Sequence, residues 1–201
     1  MTDNKKQLLE QLGQIVVLFQ MIEKSIERMI FSCMTTPISQ IDILMCEISF
    51  KVKVHSLVAL IKNLHKPEEE AYEIGNIYSE IDNIAKKCHE CESRRNQLIH
   101  STWFMEFKSA PELVLRMKES TKLKKGYNQS VESMELANLQ KDITYFKETE
   151  TAIRSLNQKL AIQYKRVHGL DGMGNCFDHA MMVKTIYDSV IKKSKSKQLA
   201  K

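Results

Sequence analysis

Arg95, Asn96 and His100 stand close together near the end of a long apolar periodicity, and their types suit chemistry on a phosphodiester. A histidine accepts and donates protons near neutral pH. An arginine offers a planar fork that matches phosphate oxygens and stabilises negative charge developing on phosphorus. An asparagine beside them can orient either neighbour through its amide. Together these groups are equipped to cleave RNA: the histidine assists proton transfer while the 2′-hydroxyl attacks the adjacent phosphate. One chain supplies a single histidine here, whereas acid and base steps run most easily with two. Two copies facing each other across a two-fold axis would supply the second. The competing structural reading pairs Arg95 with Glu92 one turn back and leaves His100 as a helix-terminal histidine favoured by the dipole.

The elements that must position this cluster are helices. Six glycines and three prolines leave few breakers in 201 residues, so the chain is expected to be mainly all-α. Leu8, Leu12, Ile15, Phe19, Ile22, Ile26 and Met29 recur at spacings of four and three, which predicts a first helix over residues 6–31. That heptad-like stripe also suits helix-to-helix dimerisation. Thr36 and Pro37 offer an N-cap and a first-turn proline for a second helix, with Ile43, Cys46, Phe50, Val54, Leu57, Ile61 and Leu64 on its stripe. With no turn signal before Leu64, it is predicted to run unbroken.

Pro67 and the acidic residues 68–70 open a third helix, where the dipole favours negative charge. Its stripe reads Ile74, Ile77, Ile81, Ile84, Cys88, Cys91, Arg95, Leu98, so an arginine occupies a position that should be apolar. An unpaired charge is costly to bury, which places Arg95 at the rim of the core. The adjacent line, His89, Ser93, Asn96 and His100, is wholly polar, and Asn96 and His100 stack at i and i+4. Trp103, Met105 and Phe107, then Leu113, Leu115 and Met117, alternate around a turn at 109–112 and predict a short β-hairpin. The basic stretch 118–128 reads as a loop. Ser133 is placed to cap a fourth long helix carrying Leu136, Leu139, Ile143, Phe146, Ile153, Leu156 and Leu160. Residues 169–175 break it, and a shorter helix with Met181, Met182, Ile186 and Val190 precedes the lysines at 192–197. The expected architecture is a bundle of four to five helices in one domain, residues 1–191. It has a hairpin or loop insertion at 102–132 and a basic disordered tail at 192–201.

The string 95–100, late in a long helix and followed closely by Trp103, resembles the signature of the HEPN superfamily: an arginine, a polar residue, then a histidine four to six positions on. The resemblance covers the first helix through the fourth. It implies an all-α bundle, commonly a homodimer with a composite active site, and a metal-independent endoribonuclease needing no cofactor. The implied roles are phosphate binding for Arg95, polar support for Asn96 and catalysis for His100. Such RNases include toxins and antiviral effectors, so the resemblance implies an RNA substrate and an antitoxin or regulatory protein as partner. Other members bind RNA, a nucleotide or a protein without cleaving, which is the alternative function. Members paired with a nucleotidyltransferase antitoxin often carry a tyrosine two positions beyond the histidine. Thr102 stands there in this chain, which argues against control by AMP transfer at that position.

Other clusters carry less. Cys88 and Cys91, with Cys176 and His179, have the count of a four-ligand zinc site. The first pair continues an isoleucine stripe, however, and is better read as small core residues, with no metal expected. His55 reads as a packed histidine, and His65 and His168 as solvent-facing ones. The glycines at 169, 172 and 174 lack the lysine and hydroxyl of a phosphate loop and read as a connector. The eleven methionines need no role beyond packing. A 43% apolar and 27% charged composition fits an ordinary globular domain, and no run of about 18 apolar residues exists to span a membrane. The first residues lack an apolar signal segment and the five cysteines are an odd, scattered set, which together predict a cytoplasmic protein with free thiols. The net charge of +5 permits an anionic partner without requiring one.

Overall fold

The computed structural model describes residues 2–34, 38–64, 71–110, 113–122 and 126–168. Among these are helices α1 (Asp3–Cys33), α2 (Ile38–Glu47), α3 (Phe50–Leu64), α4 (Ala71–Ile99) and α5 (Leu136–His168). Three strands, β1 (Thr102–Phe104), β2 (Leu115–Lys122) and β3 (Gly126–Ser133), lie between α4 and α5. The fold is mainly all-α, as the periodicity predicts.

The α1 stripe is buried: Leu8, Ile15, Phe19, Ile22, Ile26 and Met29 all face the core. Phe19 sits at its centre, its ring centroid 4.7 Å from that of Phe50 on α3 and 6.5 Å from that of Phe146 on α5. Further along α1, Ser25 donates to Glu150 of α5, while Glu23 and Glu27 both lie 2.7 Å from Lys53 of α3. These pairings advance together along all three helices, so α1, α3 and α5 run in one direction. Helix α4 runs against them: Lys62 meets Asp82 and His55 meets His89 across α3, while Lys159 meets Glu80 and Arg94 meets Asp142 across α5. The stripe expected to serve a dimer is therefore consumed within one chain.

Three expectations give way. The unbroken second helix divides at Ile48 and Ser49. Ser49 takes the position before α3, where its carbonyl accepts the first helical bond, from Lys53 at 3.0 Å, a place short polar residues favour. The predicted face holds in α3, where Phe50, Val54, Leu57 and Ile61 are buried, but not in α2, where Met45 is buried while Ile43 and Cys46 are exposed. Leu64, at the end of α3, is exposed too. The break also serves the topology, because a parallel α3 requires the chain to return along α1 first.

The second correction concerns residues 118–128, read as a loop. They belong largely to β2 and β3, which pair antiparallel from Leu115↔Ser133 to Lys122↔Gly126. The polar composition hid the strands, whose partners are each other's backbones rather than the core. The predicted pairing across the 109–112 turn does form, as β1 with β2, with Thr102↔Met117 and Phe104↔Leu115 in register. Third, Ser133 ends β3 rather than capping α5, and the backbone N–H of Met134 donates to the carbonyl of Val114 at 3.1 Å. The α5 stripe itself is as predicted, with Leu139, Ile143, Phe146, Ile153 and Leu156 fully buried. The Thr36 and Pro37 cap, the 67–70 helix start, the 169–175 connector, the last predicted helix and the basic tail lie outside the described residues. No helix among the described residues is long and apolar enough to cross a membrane.

Candidate active site

Helix α4 presents Arg95 because of what α1 places beneath it. The stripe positions before and after, Cys91 and Leu98, are buried, yet Arg95 is half-buried, its guanidinium carbon 5.0 Å from the Phe19 ring centre. The face of that ring carries negative charge and accepts the cation without an acidic partner. Arg95 Nη1 donates to Asn96 Oδ1 at 2.7 Å, which aims the amide and the guanidinium as one unit. Arg95 Nε is buried and finds no hydrogen-bond partner among the described residues. Glu92, the alternative partner for Arg95, lies instead 3.9 Å from His89 Nδ1.

His100 follows immediately after α4, its backbone N–H still donating to the Asn96 carbonyl at 3.0 Å. That last turn keeps it on the Asn96 side of the helix, with its side chain exposed. Trp103 secures the exit by donating its Nε1 to the Leu98 carbonyl at 3.0 Å, and Ser101 Oγ donates to the Gln97 carbonyl. The three residues predicted from sequence thus occupy one end of one helix. Arg95 and Asn96 are in direct contact, and the His100 imidazole is solvent-facing and bonded to neither.

The neighbouring arginine does something else. Arg94 points toward α5, where it pairs with Asp142 at 2.7 Å and lies over the Tyr145 ring at 4.2 Å, and it also pairs with Glu90 of its own helix. Tyr145 Oη donates to Glu90 at 2.7 Å. That hydrogen bond, then the one from Arg94, holds the Glu90 carboxyl below its ordinary range. Two adjacent arginines are therefore divided between structure and presentation. On the same side as Arg94, a cavity of about 220 Å³ opens among α4, β3 and the start of α5. Its wall includes Arg116 of β2, which is buried at 7% exposure. Sequence reasoning missed Arg94, Arg116 and Asp142 here; the only available signal was a second arginine beside the first.

The two cysteines of α4 are core residues. Cys88 and Cys91 are fully buried, and burial pushes their thiols up to about 12 and about 11, so as free thiols both are protonated at neutral pH. Cys91 Sγ lies 3.6 Å from Thr149 Oγ1 as a weak hydrogen bond. Cys176 and His179 lie outside the described residues, and among those described no three His, Cys, Asp or Glu side chains form a metal-ligand group. Comparison with known proteins found no matching family model, no similar curated protein and no similar solved structure.

Proposed function

We propose that this chain is a metal-independent endoribonuclease of the HEPN type, with Arg95, Asn96 and His100 as its catalytic residues. The observation that carries the proposal is the Arg95–Asn96 contact at 2.7 Å, held over Phe19 at the helix end that also carries an exposed His100. The guanidinium is oriented by a ring and an amide, neither of which cancels its charge, so it stays available to a phosphate.

The reaction is an internal transesterification. His100 takes the proton of the ribose 2′-hydroxyl as its oxygen attacks phosphorus. The bond to the 5′-oxygen of the next nucleotide breaks, and that oxygen receives a proton, leaving a 2′,3′-cyclic phosphate. Arg95 stabilises the charge on the pentacoordinate phosphorus. A homodimer supplies the second histidine. The reading places the protein in the cytoplasm, as a toxin or antiviral effector restrained by an antitoxin or trigger.

The test is cleavage of mixed tRNA and single-stranded RNA in the presence of chelator. The parent should leave cyclic-phosphate ends. His100→Ala should lose at least about 100-fold in rate, the range typical of a general acid–base group. Arg95→Ala should fall likewise, with both variants retaining the parent's helical circular dichroism. Equal cleavage by His100→Ala and the parent would refute the assignment. No cleavage by a folded parent would favour the second reading, a silent module that binds RNA, a nucleotide or a protein. The single histidine within the Arg95 and Asn96 cluster is the observation on its side.

A further inference from the structure

We infer that the cavity beside Arg94 is a nucleobase pocket selective for guanine, an inference that rests on the RNA-cleaving reading and assigns that site its base preference. The last turns of α4 line both places. Arg94, Gln97 and Leu98 face the cavity, while Arg95, Asn96 and His100 carry the phosphate chemistry. A helix is about 10 Å across, so the two lie within reach of one nucleotide and its neighbouring phosphate.

The cavity has the size and chemistry for a base. Its volume of about 220 Å³ admits a flat bicyclic ring. Leu98 and Met134 supply apolar surface for the ring faces. The polar wall is mixed rather than cationic. Arg116 Nη2 pairs with Glu132 at 2.8 Å, and Arg94 Nη1 with Asp142 Oδ1 at 2.7 Å, so both charges are balanced. A bare phosphate gains little there, whereas a neutral ligand bearing both donors and acceptors suits it.

Two atoms define that ligand. Arg116 Nε is buried and unpartnered among the described residues, a donor that a ligand carbonyl would satisfy. Asp142 uses Oδ1 on Arg94, leaving Oδ2 to accept from a ligand N–H. Asn138, also in the wall, can add either kind of bond. Guanine presents this pattern on one edge, with O6 as acceptor beside the N1–H and N2–H donors. Adenine and cytosine bring a ring nitrogen lone pair where the carboxylate stands, and uracil, which matches at O4 and N3–H, turns its O2 carbonyl toward the Asp142 carboxylate where guanine offers N2–H.

The experiment titrates the full chain with GMP, AMP and UMP by calorimetry, comparing the parent with Asn138→Phe, Asp142→Asn and His100→Ala. Asn138 is exposed in the first turn of α5, so a phenylalanine there blocks the cavity without entering the core. The parent and His100→Ala should bind GMP at least 10-fold more tightly than AMP or UMP. Asn138→Phe should lose that preference. Asp142→Asn should lose it too, and Asn138→Phe decides the matter if Asp142→Asn does not fold. In guanosine-containing oligonucleotides, cuts beside guanosine should dominate for the parent and become indiscriminate in Asn138→Phe. Equal affinity for the three nucleotides, or GMP binding unchanged in Asn138→Phe, would overturn the inference even if the protein cleaves RNA. Selective GMP binding by a protein that cuts nothing would keep the pocket and discard the ribonuclease.

Discussion

At the scale of the residue, the chain distinguishes two arginines that differ by one position. Arg94 is tied to Glu90, Asp142 and the Tyr145 ring, and Arg95 rests on Phe19 and Asn96. One hundred degrees of helical rotation sends one to α5 and the other to α1. A second polar contact lies further back on the same helix, where His89 meets His55 of α3 at 5.1 Å between ring centres. Burial, then the nearby charges of His55 and Lys51, hold His89 below its ordinary value, with Glu92 opposing them in part. A histidine with a depressed folded value favours folding above its unfolded pKa of about 6.5 and loses that contribution as pH falls. Urea midpoints measured from pH 7.5 to 5 should therefore decline on acidification, and His89→Gln should flatten the decline. An unchanged slope in that variant would show that the pair does not govern it. The Arg95 and Asn96 cluster stood out in the sequence because it interrupts an apolar stripe with charge. Arg116 did not, because strand alternation alone does not reveal that β2 turns this side chain inward, beside Glu132 of β3.

At the scale of the element, helix stripes were legible and their interruptions were not. Each buried position of α1, α4 and α5 that the periodicity named is a core residue where side chains are described, apart from the half-buried Leu12, Leu136 and Leu160 and the arginine at the α4 rim. Ser49 breaks a helix without glycine or proline, and β2 with β3 form from residues that favour loops. Both depend on partners distant from the local pattern. A buried ion cluster joins α1 to α3 as well. Lys53 is 5% exposed at its side chain and touches both Glu23 and Glu27, and Lys24 adds a second bond to Glu27. Burial alone would lower Lys53 and raise Glu27, but the hydrogen bonds reverse both shifts, so each group stays ionised. Lys53→Ala should cost about 3 kcal/mol in urea unfolding, because Glu23 loses its cation and the buried Glu27 keeps only the exposed Lys24. Lys53→Met combined with Glu27→Leu should recover most of that loss, since it removes both members of the closest buried pair. If the double variant is as unstable as the single one, packing rather than charge sets the cost.

At the scale of the whole molecule, the proposed reaction asks for two histidines and one chain offers a single candidate. Light scattering at concentrations where the protein cleaves should give twice the chain mass of 23.3 kDa. A cleaving species of one chain mass would remove the composite site and require His100 to act alone. The dimer, if formed, must use a surface other than the α1 stripe, which the fold has buried. The same burial has a temporal side. Ser25 of α1 bonds Glu150 of α5, 125 residues away, and Phe19 meets Phe146 over nearly the same interval. Contacts so far apart in the chain are slow to close, because the intervening loop must first surrender its freedom. During synthesis the first helix therefore leaves the ribosome able to meet α3 and α4, but the part of its apolar face that packs on α5 stays bare until α5 has emerged. A chain arrested before α5 can cover only the part of that face that meets α3 and α4, so translation that stalls midway should yield an aggregation-prone fragment.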